Sequence, residues 1–179
     1  MKLETIVTQP VISAERFDLR PLRPSDAGPI TMWAGDERVA RMTSSIPHPY
    51  PPGAAEALIK RAQAEDRPGD VWAIDGTKSG GTELKGIISL TRLDADQSEV
   101  SYWIAPAFWN TGLASQAVEA LLAANPHEVK VIFATVFQDN PQSARVLTHN
   151  GFEYLGDAES FSVARNAKVK TWTYSLKLD

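Results

Sequence analysis

A strand, a glycine-containing turn and a helix follow one another directly near the middle of this chain. Residues 99–104 are an apolar-rich run typical of a strand, Gly112 closes the turn, and residues 113–124 carry apolar side chains at helical spacing. A helix that begins after such a turn presents backbone N–H groups and the positive end of its dipole. The pattern predicts a site for a phosphate-bearing ligand, although Gly112 would also suit a tight turn for steric reasons alone.

The elements around this turn predict an α+β fold with one mixed sheet. Apolar runs at 71–74, 85–90 and 99–104 are separated by polar turns, so they should pair as consecutive antiparallel strands. A proline-rich segment, 47–52, should form a stiff surface loop. The other predicted elements are a strand at 17–22, helices at 26–34 and 52–64, a strand at 129–136, a helix opened by Asn140 and Pro141, and a hairpin of 159–163 and 169–178.

Composition limits the partners and the chemistry of the chain. Its 179 residues suit a single domain and include no cysteine, which excludes disulfides and thiolate nucleophiles. The net charge is −4 and the basic residues are scattered, so a nucleic-acid partner is not expected. No apolar run reaches about 18 residues, and residues 1–14 lack the apolar segment of a signal peptide. We therefore expect no membrane partner and a cytoplasmic location.

The sequence also lacks the common motifs of metal, dinucleotide and hydrolase sites. The three histidines, His48, His127 and His149, are far apart, so we expect them to be exposed at loops or helix ends and not to bind a metal. No Ser/His motif of a serine hydrolase is present either. Without this arrangement and without cysteine, an acyl-enzyme intermediate is not expected.

Five blocks, in the expected order along the chain, resemble GNAT acetyltransferases of the branch that includes ribosomal-protein N-terminal acetyltransferases. The blocks are residues 15–22 (ERFDLRPL), 99–104 (EVSYWI), 109–114 (WNTGLA), 140–144 (NPQSA) and 150–152 (NGF). The resemblance implies a GNAT domain over residues 15–179, with residues 1–14 as an extension. It implies a mixed, mostly antiparallel seven-stranded sheet flanked by about four helices, with strands 4 and 5 parallel and splayed.

The same resemblance implies acetyl-CoA as co-substrate. The pyrophosphate would lie on the loop before the helix, and the pantetheine arm would run along the edge of the splayed strand. The residues implied to bind it are Trp103, Ile104, Ala105, Trp109, Asn110, Thr111, Gly112, Leu113, Ala114 and Asn140. The loop departs from the family pattern, because Asn110 and Thr111 stand where a glycine and a basic residue are frequent. Asn140 has a second explanation as a helix cap.

Two residues are candidates for the catalytic roles. Glu99, near the sheet centre, could act as general base if burial raises its pKa; the alternative is a solvated residue at a strand edge. Ser143 could protonate the departing CoA thiolate, a role that the resemblance implies; the alternative is an ordinary serine in the first turn of a helix.

The expected activity is transfer of an acetyl group to a primary amine by direct attack in a ternary complex. An α-amine is about 10% neutral at pH 7, whereas a lysine amine is neutral at well below 0.1%, so the former is the easier nucleophile. A peptide N-terminus or a small-molecule amine is therefore the expected acceptor, entering between residues 47–52 and 165–168.

Two questions stay open at this level. An acyl-CoA-binding sensor or interaction module without turnover is the alternative function, motivated by the changed residues Asn110 and Thr111. It is favoured if neither Glu99 nor Ser143 faces the cleft. Exposed edge strands would also allow a homodimer.

Overall fold

The computed structural model describes residues 9–179, which form one eight-stranded sheet. The strands are β1 (Ile12–Ser13), β2 (Asp18–Pro21), β3 (Gly69–Asp75), β4 (Gly86–Asp94), β5 (Gln97–Ile104), β6 (Val131–Phe137), β7 (Glu153–Ser162) and β8 (Ala167–Lys177). Their order is β1-β2-β3-β4-β5-β6-β8-β7, and only the β5–β6 pair is parallel among these residues. The mixed, mostly antiparallel sheet is therefore confirmed, with an eighth strand because β1 adds a short edge.

Five α-helices cover the two faces of the sheet within residues 9–179. They are α1 (Ala27–Ala34), α2 (Glu37–Ala40), α3 (Ala54–Ala62), α4 (Leu113–Ala124) and α5 (Pro141–His149). The short helix α2 was not predicted, because its four residues are too few to show an apolar period. Its N-terminus is fixed by Asp36, whose side chain accepts a hydrogen bond from the N–H of Arg38 at 2.9 Å.

Of the predicted extension, residues 1–14, the first eight residues lie outside the part of the chain that the structure describes. From residue 9 onward it contacts the domain. Ile12 and Ser13 pair with Leu19 and Asp18 of β2, and Gln9 donates its side-chain amide to the Val71 carbonyl at 2.8 Å.

Each face of the sheet has its own apolar cluster. The helices α4 and α5 pack on one face through Val118, Leu121 and Leu147, which are almost fully buried. Helices α1 and α3 cover the other face through Ile30 and Ile59. Burial of each such side chain contributes about 1.5–3 kcal/mol, so the two clusters hold the helices on opposite sides of the same strands.

The parallel strands β5 and β6 separate after a short ladder. They are paired only where residues 97–99 meet 131–133, although β5 continues to Ile104 and β6 to Phe137. These are the strands predicted as the fourth and fifth, and their splay is confirmed. It leaves a gap at the sheet centre, flanked by the N-termini of α4 and α5.

The last hairpin is longer than its sequence pattern indicated. Strand β7 begins at Glu153 instead of residue 159, and most of its residues are exposed. Because β7 is an edge strand with little packed on it, its first half carries no alternating apolar pattern for sequence inspection to detect.

A buried polar network joins β3, β5 and the α4–β6 connection. His127 donates from Nε2 to Asp70 Oδ2 at 2.7 Å, and its Nδ1 lies 2.9 Å from Ser98 Oγ. Arg67 donates to the other Asp70 oxygen at 2.9 Å. The expectation that His127 is exposed is therefore wrong: its side chain is 1% exposed, because the Asp70 and Ser98 partners satisfy both ring nitrogens.

Candidate active site

The gap between β5 and β6 opens into a cavity of about 1370 Å³. Every predicted site residue lines it except Ala105. Ala105 is fully buried, and its N–H donates to the Lys85 carbonyl at 2.9 Å. The structure therefore brings eleven of the twelve predicted residues to one cavity from strand β5, the loop that leads to α4, the first turn of α4, and the start of α5 with its N-cap residue Asn140.

The first turn of α4, which follows a sharply turned loop, supplies free backbone donors. Asn110 and Gly112 both have positive φ, 61° and 77°, which turns the chain sharply into the helix. The N–H groups of Leu113, Ala114 and Ser115 take part in none of the described hydrogen bonds, and all three residues line the cavity. Unbonded donors at the positive end of a twelve-residue helix fit a phosphate group.

Two side chains hold this loop in its conformation. Trp109 donates from Nε1 to the Ile104 carbonyl at 2.7 Å, and Thr111 donates its hydroxyl to the Phe108 carbonyl at 2.6 Å. Because the Ile104 carbonyl points toward Trp109 and not into the β4 ladder, the N–H of Ile104 faces the gap as well. The Trp109 bond thus ties the loop to the splayed strand.

Glu99 lies at the last rung of the parallel ladder, paired with Phe133 of β6. Strand β5 is an interior strand, so Glu99 is not at a sheet edge; its side chain is half-buried and lines the cavity. It has no hydrogen bond or ion pair with any residue of 9–179. Burial raises the pKa of Glu99, which suits a carboxylate that accepts a proton from an amine.

Ser143 is held between two neighbours. Asn140 donates from Nδ2 to Ser143 Oγ at 3.1 Å, and Tyr102 donates its hydroxyl to the Ser143 carbonyl at 3.3 Å. The Asn140 side chain makes no capping bond to the helix backbone, and its amide oxygen takes part in no described hydrogen bond. The Ser143 hydroxyl accepts one bond and keeps its own proton available to the cavity.

Tyr102 is a site residue that sequence inspection missed. Burial raises its pKa to about 12, so the phenol stays protonated and continues to donate to α5 at neutral pH. Tyr102 lies in the apolar run of β5, where a buried aromatic side chain is expected. No local sequence pattern indicates its hydrogen-bond partner Ser143, which is 41 residues away.

Arg165, in the segment expected to border the acceptor entrance, does not itself line the cavity but binds Asp139, which does. Its guanidinium donates to both carboxylate oxygens of Asp139, at 2.6 and 3.1 Å, and to the Arg41 carbonyl at 2.8 Å. It also lies 5.2 Å from the centre of the Phe137 ring. Arg165 holds the pKa of Asp139 below its usual range. The β7–β8 turn is thereby joined to the end of β6 and to the segment after α2.

One residue from the proline-rich segment and one from the last hairpin line the cavity. Of the proline-rich segment, Tyr50 reaches the cavity, and from the last hairpin Ser160 does. The lining of the cavity includes residues that carry hydroxyl groups, among them Thr43, Ser44, Ser45, Ser89, Ser101, Thr135 and Ser160, and the charged residues Arg38, Asp139 and Arg145. These side chains offer hydrogen-bonding and charged groups to an acceptor.

The buried Ser98, His127 and Asp70 resemble a catalytic triad in composition only. Ser98 is fully buried and does not line the cavity. A nucleophile must reach its substrate, so Ser98 cannot form an acyl-enzyme with a ligand of this cavity. Within residues 9–179, no cluster of three or more His, Asp or Glu side chains could hold a metal ion, and no helix is long and apolar enough to cross a membrane.

A comparison with known protein families shows which family the chain belongs to. The family model for the acetyltransferase (GNAT) domain matches residues 16–153. The chain belongs to the GNAT acetyltransferase family. This GNAT protein has the α+β architecture expected from its five sequence blocks, including the parallel, splayed pair β5 and β6.

Two curated relatives have related names. A ribosomal-protein-serine acetyltransferase of Escherichia coli is 34% identical over 89 residues, which are 42% of this chain and 50% of that protein, so the match spans half of that relative's length. An uncharacterized N-acetyltransferase of Bacillus subtilis, YoaA, is 25% identical over 173 residues, which are 93% of this chain and 96% of that protein.

Solved structures share the fold at low sequence identity. The microcin C7 self-immunity acetyltransferase MccE, in complex with acetyl-CoA and AMP, has a TM-score of 0.79 at 13% identity, covering 92% of this chain and 94% of MccE. RimL, the ribosomal L7/L12 α-N-protein acetyltransferase, in complex with CoA, has a TM-score of 0.78 at 15% identity, covering 95% of this chain and 99% of RimL.

Proposed function

We propose that this GNAT protein is an acetyl-CoA-dependent N-acetyltransferase that acts on a primary amine by direct attack in a ternary complex. The observation that carries the proposal is the convergence, in one cavity, of the free N–H groups of α4 with Glu99 and Ser143. MccE and RimL, which share the fold, were crystallised with acetyl-CoA and with CoA.

The residues of the cavity fit the parts of this co-substrate. Leu113, Ala114 and Ser115 would bind the pyrophosphate through their N–H groups, and the Asn140 amide oxygen would accept a hydrogen bond from the pantetheine arm. The N–H of Ile104 would bind the thioester oxygen and stabilise the negative charge that develops there. Acetyl-CoA supplies the activated acetyl group.

The transfer step needs one base and one acid. Glu99 takes a proton from the attacking amine, directly or through water, as the N–C bond forms. Ser143 gives its proton to the sulfur as the C–S bond breaks, and Asn140 and Tyr102 hold it in position. Two observations support transfer without an acyl-enzyme: the chain contains no cysteine, and the buried Ser98 does not line the cavity.

The acceptor proposed is the α-amine of a peptide N-terminus or a small amine of similar pKa. The acid–base argument favours an α-amine, and the hydroxyl groups that line the cavity, including those of Ser44 and Ser160, can bind a polar acceptor. The name of the Escherichia coli relative, a ribosomal-protein-serine acetyltransferase, agrees with a peptide N-terminus.

The first experiment is calorimetric titration with acetyl-CoA, with CoA and ATP run beside it. It is combined with a thiol-release assay over a panel of peptides and small amines. Micromolar binding of acetyl-CoA with thiol release for an amine is expected, and the absence of acetyl-CoA binding would contradict the proposal. Intersecting initial-rate patterns are expected for a ternary complex, whereas parallel lines would contradict direct attack.

The alternative, a coenzyme sensor without turnover, has less support. It would be favoured if neither Glu99 nor Ser143 faced the cleft, but both residues line the cavity. Binding of acetyl-CoA with no thiol release from any amine of the panel would favour it.

A glycine pair offers a test of the phosphate-binding loop. We expect Gly112→Ala to weaken acetyl-CoA binding about tenfold, because alanine at φ +77° is strained by roughly 1–2 kcal/mol and the loop relaxes away from its phosphate-binding conformation. Gly80→Ala is the control, since Gly80 has φ +76°, equally open surroundings and a position in the β3–β4 turn. Both variants should lose similar thermal stability, and only Gly112→Ala should lose affinity in calorimetry.

A further inference from the structure

We propose that three hydroxyl groups on the sheet surface inside the cavity, those of Ser89, Ser101 and Thr135, bind the acceptor and select one with a hydrogen-bonding group close to its amine. The inference rests on the proposed function and deepens it, because it assumes that an amine reaches Glu99 in this cavity. The register of the sheet sets the three side chains in one row, next to the rung of Glu99.

Strand β5 turns alternate side chains to the two faces of the sheet. Val100 and Ile104 pack in the cluster of α4 and α5, whereas Trp103 packs against the cluster of α1 and α3. Glu99 and Ser101 alternate in step with Trp103, so they lie on the face of α1 and α3. Ser101 is thus the next side chain after Glu99 on that face, about 7 Å along the strand.

The hydroxyl row continues on both neighbours of β5. Ser101 pairs with Ser89 of β4, and their hydroxyl oxygens are 2.7 Å apart. The last parallel rung joins Glu99 to Phe133, and Thr135 lies two residues further along β6, as Ser101 does along β5. Register partners face the same side of a sheet, so Ser89 and Thr135 share the face of Glu99. Ser101 and Thr135 therefore stand on opposite sides of the gap between the splayed strands.

These hydroxyls are open to the cavity and retain hydrogen-bonding capacity. All three residues line it, and Ser101 and Thr135 are exposed although β5 and β6 are interior strands of the sheet. Each hydroxyl has one proton and two lone pairs, which exceeds what the close contact between Ser89 and Ser101 uses. The Thr135 hydroxyl takes part in none of the described hydrogen bonds. The row can therefore donate to a ligand and accept from it.

The row is bounded by side chains of different character. On the rung beyond it, Ile87 pairs with Trp103, and both pack in the apolar cluster of α1 and α3. The sheet surface thus changes from apolar to hydrogen-bonding beside Glu99, where an acceptor amine is expected. A polar group near that amine would bind the hydroxyls, whereas a hydrocarbon group would displace water from them and leave them without partners. A peptide N-terminus has such a group, because its first amide lies on the carbon that bears the amine.

The test compares Ser101→Ala and Thr135→Val with the wild-type protein in the thiol-release assay, using two acceptors of similar shape. Alaninamide carries an amide on the carbon that bears its amine, and 3-methyl-2-butylamine has an isopropyl group in its place. We expect each variant to lower kcat/KM for alaninamide about three- to tenfold, the effect of one neutral hydrogen bond, mainly through KM. For 3-methyl-2-butylamine the loss should be less than about twofold.

Two features of the design isolate the hydroxyl groups. Each acceptor is compared only with itself across the variants, so the different pKa values of the two amines cancel. Thr173→Val is the matched control, because Thr173 pairs with Thr135 and continues the same row on β8 but does not line the cavity. It should leave kcat/KM unchanged for both acceptors.

The outcomes separate this inference from the proposed function. If the wild-type protein does not bind acetyl-CoA, or releases thiol with no amine of the panel, the proposed function fails. If wild type acetylates other amines but not alaninamide, the inference is wrong while the function stands. Equal losses for the two acceptors, or a loss of acetyl-CoA affinity in calorimetry, would also overturn it, since the hydroxyls would then serve proton transfer, packing or the coenzyme.

Discussion

Glu99→Gln is expected to lower kcat/KM by about 10²- to 10⁴-fold, the range for loss of a positioned general base. The change preserves size and removes only the proton acceptor. Glu99 has no ion pair or hydrogen bond within residues 9–179, so its replacement leaves no charged partner unsatisfied, and the fold should be unaffected. The measurement is thiol release with an amine identified in the panel, and acetyl-CoA affinity by calorimetry should stay unchanged.

The pH profile provides an independent test of the same role. Glu99 must be deprotonated to accept a proton, so kcat/KM should fall as the pH drops through its pKa. Burial raises that pKa, so this acidic limb should lie above the pH expected for an ordinary glutamate. Protonation of the acceptor amine lowers kcat/KM toward acid in every variant, but the additional loss that belongs to Glu99 should be absent from Glu99→Gln and present in Glu119→Gln, which changes an exposed residue of α4. If the profiles of Glu99→Gln and wild type kept the same steepness in acid, another group would be the base.

The helices and central strands could be predicted because their signals are local. Residues 113–124 carry the apolar period of a buried helix, and α4 spans Leu113–Ala124 as predicted. The run of β3, β4 and β5 was also visible, since consecutive apolar segments joined by short polar turns pair with their neighbours. Each of these apolar patterns can be recognised within about a dozen consecutive residues.

The contacts that complete the site were not predictable from such patterns. Tyr102 meets Ser143 across 41 residues, and Arg165 meets Arg41 across 124. Nothing near either residue in the sequence indicates its partner, because the pairing depends on how separate elements pack. Packing also decided the surroundings of Glu99, since the sequence could not show which face of β5 would border the cavity.

The polar network around His127 shows the same limit and leads to the largest expected effect on stability. Three segments far apart in sequence supply Asp70, Ser98 and His127, and each of these side chains is nearly or fully buried. A lone histidine between Pro126 and Glu128 has no feature that predicts burial. The carboxylate of Asp70, placed by β3, accepts hydrogen bonds from both the buried imidazole and the Arg67 guanidinium.

Asp70→Asn should therefore lower the free energy of unfolding by about 3–5 kcal/mol at pH 7, because it leaves Arg67 and His127 without their buried anion. Urea unfolding followed by circular dichroism measures the loss. The control is Asp36→Asn, which breaks the more exposed pair with Arg38, keeps a residue able to cap α2, and should cost about 1 kcal/mol or less. Equal losses in the two variants would show that the network is not a major source of stability.

The pH dependence of this loss has a defined sign. Burial alone would raise the pKa of Asp70, but hydrogen bonds from His127 and Arg67 outweigh burial and hold that pKa below its ordinary value of 3.8. A lowered pKa in the folded state contributes stability above the unfolded-state pKa and loses it as the pH falls through the folded-state pKa. The difference between wild type and Asp70→Asn should thus be constant near neutrality and shrink below about pH 4. A difference that stayed unchanged in acid would mean that the asparagine variant loses packing and not charge.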